Sequence, residues 1–103
     1  MATLHASETG IASYYSTKTG NKTASGERLV DSKFTAAHRT FKFGTLVKIT
    51  NLKNNKTAIV KINDRGPFVR GRIIDVSLAA AKQLDFHHQG LAKVKMELFS
   101  PEK

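Results

Sequence analysis

The chain has 103 residues, with 17 Lys and Arg against 8 Asp and Glu, a formal net charge of +9, and 40% hydrophobic residues. One domain of this size buries about 60–70% of the surface its unfolded chain exposes. There is no cysteine, which excludes disulfides, thiolate nucleophiles and thiolate metal sites. No apolar run approaches the roughly 20 residues of a membrane-spanning helix, and none reads as the core of a signal peptide.

Residues 1–9, MATLHASET, are polar and are expected to form a flexible N-terminal segment. GIASYYS (10–16) reads as a first short strand, followed by TKTGNKTASGERLVDSK, a polar loop punctuated by glycine and long enough to suggest function. FTAAHRTFKFG (34–44) predicts a single helical turn capped by Thr35 and ending at Gly44. TLVKITNL and TAIVKIND flank KNNK, which predicts a hairpin whose two-residue turn is Asn54-Asn55, because Asn tolerates left-handed backbone. RIIDVS is a further strand. Ser77 then caps a helix in which Leu78, Ala81 and Leu84 share a face. LAKVKMELFS alternates, with Ala92, Val94, Met96 and Leu98 opposite Lys93, Lys95 and Glu97. No repeat or linker divides the chain. The expected architecture is mainly β: a small closed barrel over 10–99 with one or two short helices, and a tail at 100–103.

A positive balance favours polyanionic partners such as nucleic acid, anionic headgroups or an acidic cell-wall polymer, or serves solubility. Lys48, Lys61, Lys93 and Lys95 stand singly, no block of five like charges occurs, and only Phe41-Lys42-Phe43 interleaves aromatic with basic residues. A nucleic-acid partner is therefore not expected. No G-x-S-x-G pattern or spaced Ser, His, Asp set stands out. His87 and His88 are adjacent and would diverge on a strand or helix, while His5 and His38 are distant, so neither a metal nor a cofactor is expected. Carboxylates remain. Glu8, Glu97 and Glu102 look solvated, and Asp31 and Asp85 sit in turn or helix-end settings that suit local capping. Glu27 follows Gly26 in the long loop, and Asp64 closes a strand before Arg65-Gly66-Pro67. Each is a candidate for chemistry or an ordinary turn residue. Asp75 lies in an apolar strand, where a charge needs a partner such as Arg65 or Arg72.

Several blocks in order bear on that choice: GIASYYS, KTASGE (22–27), FTAAHRT (34–40), FGTLVKITNL (43–52), INDRGPFVRGRIIDVS (62–77) and AAAKQL (79–84). Over roughly residues 10–98 the chain resembles the rare lipoprotein A family, septal-ring lytic transglycosylases of bacteria built on a six-stranded double-psi β-barrel. It departs from the family's usual pattern at STKTGN (16–21), which is about a residue shorter than the Gly, Phe or Leu, His, Gly, Arg run found there, and at Tyr14, where Trp is frequent. The resemblance implies Glu27 as the catalytic acid, Asp64 as a second essential carboxylate and His38 as a groove residue. Asn63, Arg65, Asp75 and Tyr15 are then supporting or substrate-binding. It also implies peptidoglycan glycan strands as the partner, with a preference for strands lacking stem peptides, action as a monomer, and a place in the bacterial periplasm or cell envelope. On this footing Glu27 is expected to be kept neutral near pH 7 by a partly apolar groove, Asp64 to be held by Asn63, Arg65 or turn amides, and His38 to bond Glu27 or the substrate. A barrel that binds and loosens polysaccharide without cutting it, as expansin-like proteins do, is the alternative.

Overall fold

The computed structural model describes residues 7–17 and 22–100. Its elements are β1 (Ser7–Tyr15), β2 (Thr35–Ala37), β3 (Leu46–Asn51), β4 (Thr57–Asp64), β5 (Arg72–Ser77), α1 (Leu78–Gln83) and β6 (Ala92–Leu98). The strands close into a barrel in the order β1-β5-β2-β4-β3-β6. Most neighbours are antiparallel, but β1 runs parallel to β5 and β2 runs parallel to β4. Parallel pairing demands long crossover connections. Both parallel pairs join strands that are not consecutive in the chain; residues 16–34 lead from β1 to β2, on the far side of β5, and this connection carries Glu27.

Alternation turns one face of each strand inward. Val47 and Ile49 of β3, Val60 and Ile62 of β4, and Ile74 and Val76 of β5 are fully buried, with Phe86 the largest buried side chain after α1. On β6, Val94 and Met96 point into this core as the pattern predicts, whereas Leu98 at the strand end stays exposed. Ser77 caps α1 by accepting the Ala80 amide on its Oγ at 3.3 Å, and Ala80, Ala81 and Leu84 seat the helix on the barrel.

Three local expectations are corrected. β1 begins at Ser7, because residues 7–9 pair with Glu97, Met96 and Lys95 of β6. The segment at Thr35 is a strand: Thr35, Ala36 and Ala37 are all buried, bonded between β4 and β5, and pairing on both sides overrides the helical preference of Ala-Ala. The β3–β4 connection is longer than two residues. Asn51 accepts the Lys53 amide and Asn54 the Lys56 amide on their side chains, leaving Asn55 alone with left-handed backbone at φ 63.

Candidate active site

Glu27 is presented by a knot of short bonds. Thr23 donates its amide and hydroxyl to the Glu27 carbonyl at 3.2 and 2.7 Å, Gly26 donates its amide to the Thr23 carbonyl at 3.0 Å, and Ser25 Oγ accepts the Glu27 amide at 3.2 Å. Gly26 holds φ +92, a conformation that a side chain would strain, which accounts for glycine immediately before the carboxylate. The knot is fastened to the end of β4: the Ser25 amide donates to the Asn63 carbonyl at 3.2 Å and the Ala24 amide to Asp64 Oδ1 at 2.8 Å.

So placed, Glu27 meets two side chains of β4. Asn63 Nδ2 donates to Oε1 and Lys61 Nζ donates to Oε2, each at 3.0 Å. The Asn63 bond, then the Lys61 bond and charge, hold the exposed Glu27 carboxyl below its ordinary value. This corrects the expectation of a neutral acid in an apolar groove: the unliganded carboxyl is open to solvent, paired and ionised at neutral pH. Asn63 itself is buried, and its Oδ1 has no hydrogen-bond partner among the described residues.

Two cavities meet at this pair. The larger, about 530 Å³, is lined by Glu27, Lys61 and Asn63 together with Arg28, Lys33 and Phe34 among others. The smaller, about 300 Å³, shares Glu27, Lys61 and Asn63 and adds Ser25, Phe43 and Gly44. The Glu27–Lys61 bridge thus sits on the wall between two halves of one groove, with an aromatic ring in each half.

Asp64 lines neither half. Its Oδ1 accepts the Ala24 and Arg65 amides, both at 2.8 Å, so turn amides hold it and the side chains of Asn63 and Arg65 do not. The Arg65 guanidinium instead bonds the carbonyls of His38 and Phe41 at 3.1 and 2.8 Å and lies 4.1 Å from the Phe43 ring centroid, which places that aromatic at the mouth of the smaller cavity. Of the two bonds expected of His38, the one to Glu27 is not made: the His38 Nδ1 accepts the Thr40 and Phe41 amides at 3.1 Å each, and its ring stacks on Phe41 at 3.7 Å. Burial, then the charges of Arg39 and Arg65, push its pKa down, so it is neutral with its proton on Nε2. Tyr15 donates to or accepts from Thr35 Oγ1 at 2.8 Å and supports a residue of the larger cavity. Burial raises its phenol to about 12. Asp75 is chelated by Arg72, whose Nη2 lies 3.0 and 2.9 Å from the two carboxylate oxygens, the second of the two partners anticipated.

Asp31 and Asp85 lie away from Glu27, and Asp31 bonds a residue 14 positions distant where a local cap was expected. Asp31 accepts the amide and hydroxyl of Thr17, and Asp85 takes left-handed backbone beside Lys56. His87 and His88 lie in a turn, and their rings approach to 4.0 Å where divergence was expected. Among the described residues no group of three His, Asp or Glu could hold a metal ion, and no helix is long and apolar enough to cross a membrane. The STKTGN departure falls mostly on residues 18–21, outside the described residues. Lys61, Phe34, Arg28 and Lys33 were missed as site residues. Lys61 was findable, because alternation in VKIND puts Lys61 and Asn63 on one face, opposite Val60 and Ile62.

Residues 7–96 match the lytic transglycolase family. The chain is 47% identical over 98 residues to a probable endolytic peptidoglycan transglycosylase RlpA of Synechocystis. It is 52% identical over 95 residues to the endolytic peptidoglycan transglycosylase RlpA of Neisseria meningitidis serogroup A, and 50% identical over 99 residues to that of Rickettsia felis. These alignments cover 94, 91 and 92% of this chain but only 30, 40 and 43% of the relatives. Among solved structures, the Streptomyces papain inhibitor superposes with a TM-score of 0.74 at 21% identity, covering 92% of this chain and 96% of its own. A mutant Clavibacter michiganensis expansin in complex with cellohexaose gives 0.72 at 19%, covering 95 and 53%. At such identities the structural likeness establishes the fold alone, and one fold serves an inhibitor and an expansin alike. With the sequence match running from β1 into β6 and the parallel-stranded barrel closed as observed, this chain belongs to the lytic transglycolase family and has its double-psi β-barrel fold.

Proposed function

We propose that the domain is the cutting unit of an endolytic peptidoglycan transglycosylase, acting in the bacterial periplasm or cell envelope, with Glu27 as its acid and base. The observation that carries this reading is the position of Glu27, on the wall shared by the two halves of a groove and held there by Asn63 and Lys61. A glycan lying along the groove brings the bond between two sugars over that carboxyl, with Phe34 and Phe43 offering a ring on either side. Protonated Glu27 gives its proton to the glycosidic oxygen as the bond from C1 to that oxygen breaks and positive charge builds on the sugar. The C6 hydroxyl of the same sugar then closes on C1, and the Glu27 carboxylate takes the hydroxyl proton, which regenerates the acid and leaves a 1,6-anhydro end. No water is consumed. Asp64 fixes the loop through Oδ1 and leaves Oδ2 without a hydrogen-bond partner among the described residues, available to the positive charge on the sugar. A buried Asn63 Oδ1 without a partner is a cost of about 1–3 kcal/mol that cores rarely tolerate and functional sites do.

The ionised state of Glu27 favours a second reading, a barrel that holds glycan without cutting it. Mass spectrometry of peptide-free peptidoglycan glycan, incubated with the parent and with Glu27→Gln, separates the two. Anhydro ends made by the parent and absent with the variant are expected. Retained binding with no cleavage by the parent would establish the binder, and ordinary reducing ends would make the domain a hydrolase.

A further inference from the structure

We propose that the loop tip Phe68-Val69-Arg70 is an outlying sugar-binding platform, on which a glycan strand leaving the smaller cavity stacks one of its pyranose rings. The proposal rests on the reading of the domain as a glycan cleaver and adds to its groove a contact outside both cavities.

Phe68 is 80% exposed, the highest value for a large hydrophobic side chain among the described residues, and Val69 beside it is 51% exposed. Adjacent apolar side chains left in solvent form a patch, and such patches mark contact surfaces when the backbone is built to display them. Here it is. Gly66 and Pro67 are buried at the base of the tip. Arg39 Nη1 donates to the Pro67 carbonyl at 2.7 Å and to the Arg72 carbonyl at 2.9 Å, tying the two ends of the loop together. The Arg72 amide closes a turn on the Val69 carbonyl at 3.2 Å, with Gly71 at φ +88, and the Ile11 amide bonds the Gly71 carbonyl at 3.3 Å. A ring displayed on so braced a loop loses little further freedom when a ligand covers it.

Position and chemistry together name the ligand. The Phe68 ring folds back to Gly66, where a Cβ would lie 3.6 Å from it. Gly66 follows Arg65, whose guanidinium lies on Phe43 at the mouth of the smaller cavity. The tip therefore continues the wall that carries Phe43, Arg65 and Asp64. A ring there offers a flat apolar surface to the C–H face of a sugar. Arg70 is exposed and has neither an ion pair nor a hydrogen bond among the described residues, so its donors are open to hydroxyl and acetamido oxygens. A bilayer is the other surface that apolar tips enter, but its hold scales with the apolar area buried. Two side chains on a tight turn give a bilayer little, whereas one ring matches one sugar.

The test uses soluble peptidoglycan glycan fractionated by chain length. Binding is measured by calorimetry with the Glu27→Gln protein, with and without Phe68→Ala, and cleavage with Phe68→Ala alone. Long strands are expected to bind about tenfold more weakly once Phe68 is gone, while the shortest oligosaccharide bound keeps its affinity. In cleavage, KM for long strands is expected to rise about tenfold with kcat unchanged. Phe68→Leu, apolar without a ring, is expected to behave as Phe68→Ala, and Phe68→Trp as the parent. The side chain is exposed, so all three are expected to melt with the parent. Undiminished binding of long strands by Phe68→Ala overturns the platform. An equal loss at every length also overturns it, because Phe68 then acts on the groove itself. Vesicles of anionic phospholipid bound by the parent and released by Phe68→Ala, with glycan affinity intact, would make the tip a membrane contact and overturn it as well. Strands held through Phe68 but never cut would leave the platform standing and sink the cleavage reading, whereas cutting with a KM indifferent to Phe68 would do the reverse.

Discussion

Replacing Asp64 tests whether one residue both fastens the Glu27 loop and supplies a charge. Asp64→Ala removes the acceptor of the Ala24 and Arg65 amides, both at 2.8 Å. A hydrogen bond to a charged group contributes roughly 1.5–3 kcal/mol when well shielded. Ala24 is exposed and Asp64 half-buried, so screening reduces each bond to about 1 kcal/mol. The expected loss is about 2 kcal/mol, or about 8–16 °C in Tm for a domain of this size. Asp64→Asn keeps an oxygen acceptor in place and gives up only the charge assistance, about half of that loss. Melting is followed by circular dichroism, and release of anhydro ends is measured on the same preparations below both midpoints. Under the proposed mechanism Asp64→Asn folds but lacks the charge opposite the developing cation, and its rate falls about a hundredfold. An Asp64→Ala protein melting within about 2 °C of the parent would mean that Asp64 does not hold the loop. An Asp64→Asn protein cutting at nearly the parental rate would reduce Asp64 to a fastening alone.

Lys61→Met removes a bond and a charge that lower the Glu27 pKa, so that pKa rises. Because the reaction needs protonated Glu27, the limb on which kcat/KM falls with increasing pH is expected to move to higher pH, and an unmoved limb would show that Glu27 is not the titrating acid. His38 has a folded pKa below its unfolded value of about 6.5, so the unfolded chain binds the extra proton first. Its contribution to stability is complete above pH 6.5 and is lost as pH falls through the folded pKa. The fall of Tm below about pH 6.5 is therefore expected to be shallower in His38→Gln, and parallel Tm–pH curves would count against it. Gly10→Ala puts a methyl 2.7 Å from Ile73 Cγ2 at the β1–β5 junction, which is expected to cost about 1–3 kcal/mol in urea unfolding. Unchanged stability there would mean that Ile73 moves aside freely.

The inward-facing residues of β3, β4, β5 and β6 were legible because alternation with period two is a direct image of a sheet with one face buried. Ser77 as a helix cap was legible for an equally local reason. β2 was not. Thr-Ala-Ala favours a helical turn on its own, and only bonding between β4 and β5 makes it a strand. His38 illustrates the same limit at the site. As a residue type it suggests acid–base chemistry, but its Nδ1 is committed to two amides of its own turn, and no spacing in FTAAHRT reveals that. Glu27 and Asp64 were distinguished from other turn carboxylates by family resemblance. What joins them, an Ala24 amide bridging 40 positions of sequence, is visible only once the loop is folded back on β4.

The proposed chemistry turns on how an acid that rests ionised comes to hold a proton. Permanent burial would keep Glu27 neutral, but its groove is open, so the change must come with the sugar. On the proposed reading, a glycan covering the groove excludes water from the carboxyl and takes the place of the Lys61 ammonium beside it; each change would raise the Glu27 pKa. The two partners do not respond alike. Asn63 Nδ2 donates to Oε1, and a protonated carboxyl still presents a carbonyl oxygen able to accept that bond. Lys61 donates to Oε2, which cannot carry a proton in that direction and receive an ammonium at once. The proton therefore belongs on Oε2, the oxygen that Lys61 vacates, while Asn63 keeps the carboxyl oriented in both states. In this arrangement the amide of Asn63 aims the acid, and the ammonium of Lys61 holds it charged until the groove is filled.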